Sequence, residues 1–175
     1  MPQPFAIPAF DEDGCLNVVI ETPKGSRNKF GFDAELGLFR LKAVLPEGSS
    51  FPFDFGFIPS TLGEDGDPLD VLVLLDTPLP MGCLLQARPL GVIEAEQVEE
   101  DGTTERNDRL LAVATRARTH VSVHDLGDLR PGLLEEVEAF FAHYNMLSGR
   151  EFKPLGRGGP DRARDLIKRS LSTGG

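Results

Sequence analysis

The 175-residue chain carries 18 lysine and arginine residues against 28 aspartate and glutamate residues, a formal net charge of −10 at pH 7. This length suits one domain, residues 1–175, and the 40% hydrophobic content is ordinary for a globular protein. The acidic balance argues against a nucleic-acid-binding protein, because affinity for a phosphate backbone depends on a basic surface. It suits a protein that collects divalent cations.

The two cysteines, Cys15 and Cys83, are too few for a disulfide framework and form no metal-binding pair in the sequence. The chain does not begin with a basic and apolar leader, and no apolar run is long enough to cross a bilayer. We therefore expect a cytoplasmic protein that does not bind a membrane.

Short strands are predicted wherever β-branched and apolar residues run between turn signals. These segments are residues 16–22, 29–33, 38–45, 71–75, 83–99 and 109–117. The second and third flank a turn at Gly37, which predicts a hairpin. The fourth, VLVLL, is too short and too apolar for a surface helix, and it predicts a central strand covered on both faces. An acidic hairpin loop joins the last two.

Two helices are predicted near the C-terminus. Between Pro131 and Gly149, apolar residues recur at spacings of three, four and seven, which is typical of one buried helix face. That face comprises Leu133, Leu134, Val137, Phe140, Phe141, Tyr144 and Leu147. A shorter helix is predicted from about Pro160 to Leu171, with Ala163, Leu166, Ile167 and Leu171 inward. The pattern indicates an α+β, mainly β protein, either a closed barrel with outer helices or an open antiparallel sheet.

The segment EDGDPLD, residues 64–70, concentrates negative charge before the predicted central strand. Gly66 can adopt a positive φ, so the backbone can turn tightly and direct Asp65 and Asp67 to the same side. Asp70 begins the apolar run. Three carboxylates on a rigid turn are hard oxygen ligands suited to Mg²⁺ or Mn²⁺. The alternative interpretation is a solvated acidic turn.

The segment DGDPLDVLVL, residues 65–74, resembles the signature of the soluble family I inorganic pyrophosphatases. Other segments match that family in the expected order: VVIETP (18–23), NKF (28–30), FPFDFGFIP (51–59), RPLGVIE (88–94), LLAV (110–113) and FFAHY (140–144). The resemblance implies a five-stranded OB-like β-barrel with two outer α-helices near the C-terminus. It also implies Mg²⁺-dependent hydrolysis of pyrophosphate to two phosphates, with Mn²⁺ as an alternative metal. Bacterial relatives usually form hexamers, which implies a homo-oligomer.

The resemblance further implies roles for individual residues. Asp67 would be the general base beside a metal-activated water. The metal ligands would be Glu21, Asp65, Asp70, Asp101 and Asp108, and the phosphate-binding residues Lys29, Lys42, Arg109 and Tyr144. Plainer interpretations are a solvated strand end for Glu21, surface charges for the two lysines, and core packing for Tyr144.

Several positions depart from the family pattern. Gly31 stands where the family has a glutamate, and Phe55 where it has a tyrosine. Asn107 stands at the position of an aspartate ligand, and Asn145 at that of a phosphate-binding lysine. The ligands of the acidic hairpin stay open among Glu100, Asp101, Asn107 and Asp108. Asp108 could replace Asn107 only if the hairpin bulges or shifts by one residue. Alternative functions are hydrolysis of polyphosphates or nucleotides, or a non-catalytic module that binds metal or anion.

Overall fold

This computed structural model describes residues 6–171. Their elements, in chain order, are β1 (Leu16–Thr22), β2 (Asn28–Asp33), β3 (Leu38–Val44), β4 (Asp54–Phe57), β5 (Asp70–Leu74), β6 (Leu84–Val98), β7 (Thr104–Arg106), β8 (Arg109–Ala114), α1 (Leu133–Leu147), β9 (Glu151–Gly158) and α2 (Pro160–Arg169). A short 3₁₀-helix, Leu126–Asp128, precedes α1.

Five strands close into a ring in the order β1, β4, β5, β8, β6 and back to β1. Neighbouring strands in the ring are antiparallel, except that β5 and β8 run parallel. The closed ring confirms the OB-like barrel and excludes the open sheet. Residues 71–74 of β5 are buried, as predicted for a strand covered on both faces.

Strand β6 is 15 residues long and extends beyond the ring, where it pairs with β7 and β9. The pattern did not predict β9, whose sequence EFKPLGRG contains two glycines and a proline. Pairing with β6 makes this segment a strand. The register is irregular near Pro154, which accommodates a proline that has no backbone N–H to donate. Strands β2 and β3 form the predicted hairpin as a separate two-stranded sheet.

Helix α1 begins at Leu133, two residues later than predicted, because Gly132 before it has a φ of +84°. The predicted stop is confirmed, since Gly149 has a φ of +73° and its N–H donates to the carbonyl of Met146. Leu147 was wrongly predicted to face the core. It lies in the last turn before the chain reverses into β9, and it is 48% exposed.

Helix α2 begins at Pro160, as predicted, and buries Ala163 and Ile167. Leu171 was also wrongly predicted to face the core. It follows the helix end at Arg169, where its backbone pairs with Thr61, and its side chain is exposed. Within residues 6–171, neither helix is long and apolar enough to cross a membrane.

Asp76 fastens the loop after β8 to the end of β5. Its carboxylate accepts hydrogen bonds from the backbone N–H groups of Arg118 and Thr119, each at 2.8 Å. These bonds hold the pKa of Asp76 below its usual value of 3.8. A lowered native pKa stabilises the fold above the unfolded pKa, and this stabilisation is lost as pH falls below about 3.8.

We therefore expect Asp76→Asn to lower the urea midpoint of unfolding at pH 7, because the amide lacks the charge and one acceptor. The difference from wild type should shrink as pH falls below 3.8. Glu12→Gln, which makes the same charge change at an exposed acid, is the control. A deficit for Asp76→Asn that is equal at pH 7 and at acid pH would contradict this explanation.

Candidate active site

A cleft of about 600 Å³ lies between the barrel, the β2–β3 hairpin and the C-terminal half of α1. The structure brings eight of the predicted site residues to its walls: Glu21, Lys29, Lys42, Asp65, Asp67, Asp70, Arg109 and Tyr144. Asp101 and Asp108 do not line it. The four sequence departures Gly31, Phe55, Asn107 and Asn145 all lie in its walls.

The turn before β5 has the predicted geometry. Gly66 has a φ of +85°, and the backbone N–H of Gly63 donates to the carbonyl of Asp67 at 2.7 Å. The Asp65 carboxylate accepts a hydrogen bond from the backbone N–H of Asp67 at 3.1 Å. Asp70 is the first residue of β5, so the barrel anchors one end of the turn. All three carboxylates therefore face one cleft.

Glu21, at the end of β1, brings a fourth carboxylate to the same wall. Burial raises the pKa of Glu21, while Lys29 and the backbone N–H of Phe32 oppose that change. The nearby Asp70 and Asp67 carboxylates raise the pKa of Glu21 further. Partial burial likewise raises the pKa of Asp65. The site therefore holds negative charge that a bound cation would stabilise.

The oxygen donors fit a divalent ion that is shared with a ligand. Within residues 6–171, no group of three His, Cys, Asp or Glu side chains converges on a single metal position. Mg²⁺ is usually held by only one or two carboxylates, with water and phosphate oxygens completing its coordination. Carboxylate oxygens facing an open cleft match that requirement and favour Mg²⁺ or Mn²⁺ over metals that prefer sulfur or imidazole.

Arg109 joins the turn to the acidic hairpin. Its Nη1 donates to Oδ2 of Asp70 at 2.5 Å and also to Oδ1 of Asn107. The guanidinium lies over the ring of Phe141, with Cζ 4.7 Å from the ring centroid. Its Nε is buried and has no hydrogen-bond partner among the described residues. Arg109 is thus a cation fixed in the cleft wall.

Lys29 lies beside Glu21, with its Nζ 3.7 Å from Oε2 of the glutamate. Burial lowers the pKa of Lys29, and the Glu21 and Asp70 carboxylates partly offset that change. Its Nζ also lies 4.0 Å from the centroid of Phe55. The lysine is therefore largely buried in the site, in contrast to the surface charge that was the alternative.

Lys42 reaches the cleft from a β-bulge. In the β2–β3 pairing, Lys29 faces Ala43 and Phe30 faces Leu41, so Lys42 is the extra residue. A bulge redirects a side chain, and here the Lys42 stem crosses Gly31. A Cβ at position 31 would lie only 2.9 Å from Cε of Lys42, so the glycine provides space for this lysine.

Tyr144 and Asn145 come from the last turns of α1. Tyr144 lines the cleft and also stacks on Phe140. Its side chain therefore borders the cleft and packs in the core at the same time. Burial raises the pKa of Tyr144. Asn145 is 2% exposed, and its Nδ2 has no hydrogen-bond partner within residues 6–171. The apolar pattern of α1 gave no signal for this buried amide.

The acidic hairpin keeps a regular register, without the bulge or shift that Asp108 would need. Arg106 pairs with Glu96 and Arg109 with Ile93, so no residue is inserted between them. Side chains alternate along a strand, and Asn107 therefore shares the cleft face with Arg109 while Asp108 faces away. This places the neutral Asn107, and not Asp108, in the wall of the cleft.

Asp108 has a structural environment instead. Its carboxylate accepts hydrogen bonds from the backbone N–H of Ala95 at 3.0 Å and from Nε of Arg106 at 2.6 Å. Glu94 of β6 forms ion pairs with Arg106 of β7 and with Arg162 of α2. The pair with Arg162 connects the helix to the barrel. This network borders an adjoining cavity of about 340 Å³ behind the turn, which shares Asp65, Pro68, Asp70 and Asn107 with the cleft.

Asp101 lies at the hairpin tip, where its carboxylate binds the N–H and hydroxyl of Thr103. Glu100 is likewise outside the cleft. The acids that the hairpin directs into the cleft are Glu99 and Glu105, which sequence reasoning missed. Counting back from Arg109 in steps of two would have indicated Glu105, because alternate strand residues share a face.

Comparison with known proteins places these features in one family. Residues 18–173 match the family model described as inorganic pyrophosphatase. The chain is 38% identical to an inorganic pyrophosphatase of Nostoc over 165 residues, which cover 94% of this chain and 95% of that protein. The crystal structure of the Thermus thermophilus inorganic pyrophosphatase matches with a TM-score of 0.87 and 33% identity, covering 97% of both chains. A Neisseria gonorrhoeae inorganic pyrophosphatase matches with a TM-score of 0.83 and 36% identity, covering 94% of both. The chain therefore belongs to the soluble family I inorganic pyrophosphatases.

Proposed function

We propose that this protein hydrolyses inorganic pyrophosphate to two phosphates and that the reaction depends on Mg²⁺. The observation that carries the proposal is the pairing of charges in one cleft. Carboxylates of Glu21 and the 65–70 turn line it together with the cations of Lys29, Lys42 and Arg109. Carboxylates repel a polyanion unless cations lie between them, and family I pyrophosphatases generally use divalent metal ions.

Asp67 is the general base of the proposed mechanism. It is exposed at the tip of the turn, where its side chain can reach a water in the cleft. A divalent ion held by these carboxylates would supply a water with a pKa of about 7 and would balance charge on the phosphates. Asp67 accepts the proton as the water oxygen attacks phosphorus and the bridging P–O bond breaks.

The proposed metal ligands come from both walls of the cleft. Glu21, Asp65 and Asp70 would hold ions on the barrel side. On the hairpin side, Glu99 and Glu105 face the cleft, and we assign them the role first predicted for Asp101 and Asp108. The ammonium groups of Lys29 and Lys42, the Arg109 guanidinium and the Tyr144 hydroxyl would bind phosphate oxygens.

The direct test is phosphate release from pyrophosphate by the wild-type protein with Mg²⁺ or Mn²⁺. We expect turnover with pyrophosphate that disappears on chelation with EDTA and returns with added metal. ATP and tripolyphosphate are assayed beside it, since turnover faster than with pyrophosphate would favour the polyphosphate or nucleotide alternative. No pyrophosphate turnover at micromolar enzyme with either metal would reject the proposal.

A homo-oligomer, hexameric by family resemblance, and a cytoplasmic location both stay predictions. The oligomer is supported by exposed apolar side chains on the β2–β3 hairpin. Leu36 is 61%, Leu38 63% and Leu41 58% exposed, and apolar surface of this kind would be covered in an assembly. Light scattering of the purified protein measures the oligomeric state, and a monomer at every concentration would contradict this prediction.

A further inference from the structure

A continuous aromatic cluster forms one wall of the cleft and the core behind it. Six rings contact one another with centroid separations of 5.1–6.3 Å. They belong to Phe51, Phe55, Phe140, Phe141, Tyr144 and Phe152. The cluster joins β4 to α1 and β9, which follow only after four further strands along the chain.

Two cations of the cleft lie on the faces of rings in this cluster. Nζ of Lys29 is 4.0 Å from the centroid of Phe55 and 5.9 Å from that of Phe51. Cζ of Arg109 is 4.7 Å from the centroid of Phe141. The Lys29 and Arg109 side chains are only 14% and 5% exposed, and cation–π attraction is strongest where water is excluded.

The polar contacts of Lys29 are too few and too long to fix the position of its ammonium group. Its distance of 3.7 Å to Glu21 exceeds a normal hydrogen bond, and its one hydrogen bond within residues 6–171 donates to the neighbouring carbonyl of Phe30 at 3.2 Å. The ammonium therefore lies on the face of Phe55 while forming only a long ion pair with Glu21. Arg109 likewise shares a single nitrogen, Nη1, between Asp70 and Asn107, so the ring beneath fixes the plane of its guanidinium.

We propose that Phe55 and Phe141 are positioning residues that hold Lys29 and Arg109 where the substrate phosphates bind. This inference rests on the proposed function. Neither ring has a polar atom, so each acts through the cation above it. Phe55 thereby has a function at a position where relatives carry a tyrosine.

The first test replaces each ring with leucine, which keeps an apolar side chain but removes the π face. Phe55→Leu and Phe141→Leu should each raise KM for pyrophosphate about twofold to thirtyfold. The value of kcat should change much less, because phosphate charge is present in both the ground state and the transition state. Phe55→Tyr, which keeps an aromatic ring, should keep the wild-type KM.

Phe152→Leu is the matched control. Phe152 belongs to the same cluster, 5.7 Å from Phe141, but it lies over neither cation and outside the cleft. It should lower thermal stability as the other two variants do, with KM unchanged. An equal rise of KM in Phe152→Leu, or no rise in Phe55→Leu and Phe141→Leu, would overturn the proposal.

A second test needs no activity. The unfolding midpoints of Phe55→Leu, Lys29→Met and the double variant form a thermodynamic cycle, and we expect losses that are clearly non-additive. The same cycle with Phe152→Leu should be additive. Additive losses for Phe55 and Lys29 would overturn the positioning inference. Absent pyrophosphate turnover in the wild type would reject only the proposed function, so the two failures are distinguishable.

Discussion

Asp67→Asn is expected to lower kcat for pyrophosphate about 10²-fold to 10⁴-fold, since the amide cannot accept the proton of the attacking water. The fold should be unaffected, because Asp67 is exposed and its backbone contacts do not use the carboxylate. Steady-state phosphate release gives kcat, and the unfolding midpoint confirms an intact fold. KM should change less than kcat, because an asparagine keeps the shape of the side chain.

Glu64→Gln is the control for Asp67→Asn. Glu64 is an exposed acid on the same turn, but it borders the cavity behind the turn and not the cleft. The same loss of charge there should leave kcat within about twofold of wild type, as a remote screened charge contributes little. Equal losses in both variants would assign the effect to the charge of the turn, and unchanged turnover in Asp67→Asn would remove Asp67 as the base.

Gly56→Ala is expected to destabilise the fold by about 3 kcal/mol or more, which is a large part of the stability of a domain this size. Gly56 lies in β4 opposite Ile20 of β1. A Cβ at this position would lie 2.2 Å from the carbonyl oxygen of Val19, which is a backbone atom and cannot move without opening the β1–β4 pair. Because β1 carries Glu21 and β4 carries Phe55, activity should fall together with folding.

Urea unfolding followed by circular dichroism measures the effect of Gly56→Ala. Gly156→Ala in β9 is the control, since nothing lies within 4 Å of the added Cβ and its φ is not positive. It should change stability by no more than about 0.5 kcal/mol. A wild-type urea midpoint for Gly56→Ala would mean that the ring opens at this pair more easily than the backbone contacts indicate.

Local patterns were sufficient to predict most elements of the barrel. The β-branched segment 16–22 forms β1. The apolar segment predicted at 71–75 forms β5, which begins and ends one residue earlier. The closure of the ring was not a local property, because it depends on β1 pairing with β6 and on parallel pairing of β5 with β8. Family resemblance supplied that part of the prediction.

The same distinction holds for the site. The turn around Gly66 was predicted correctly because its geometry depends on adjacent residues. Which hairpin acids face the cleft depends on register across β6, β7 and β8, and a loop of unknown pairing left Asp101 and Asp108 as candidates. The cation–π contacts of Lys29 and Arg109 depend on rings from distant parts of the chain, so no sequence spacing could indicate them.

The ion pair between Asp70 and Arg109 makes the turn less attractive to metal than its three carboxylates suggest. One oxygen of Asp70 already receives a hydrogen bond from a guanidinium. A cation that binds there must share Asp70 with Arg109, whereas an anion that accepts a hydrogen bond from Arg109 frees the carboxylate. Under the proposed function, metal and phosphate would favour each other's binding, and by thermodynamic reciprocity each would raise the affinity for the other by the same factor.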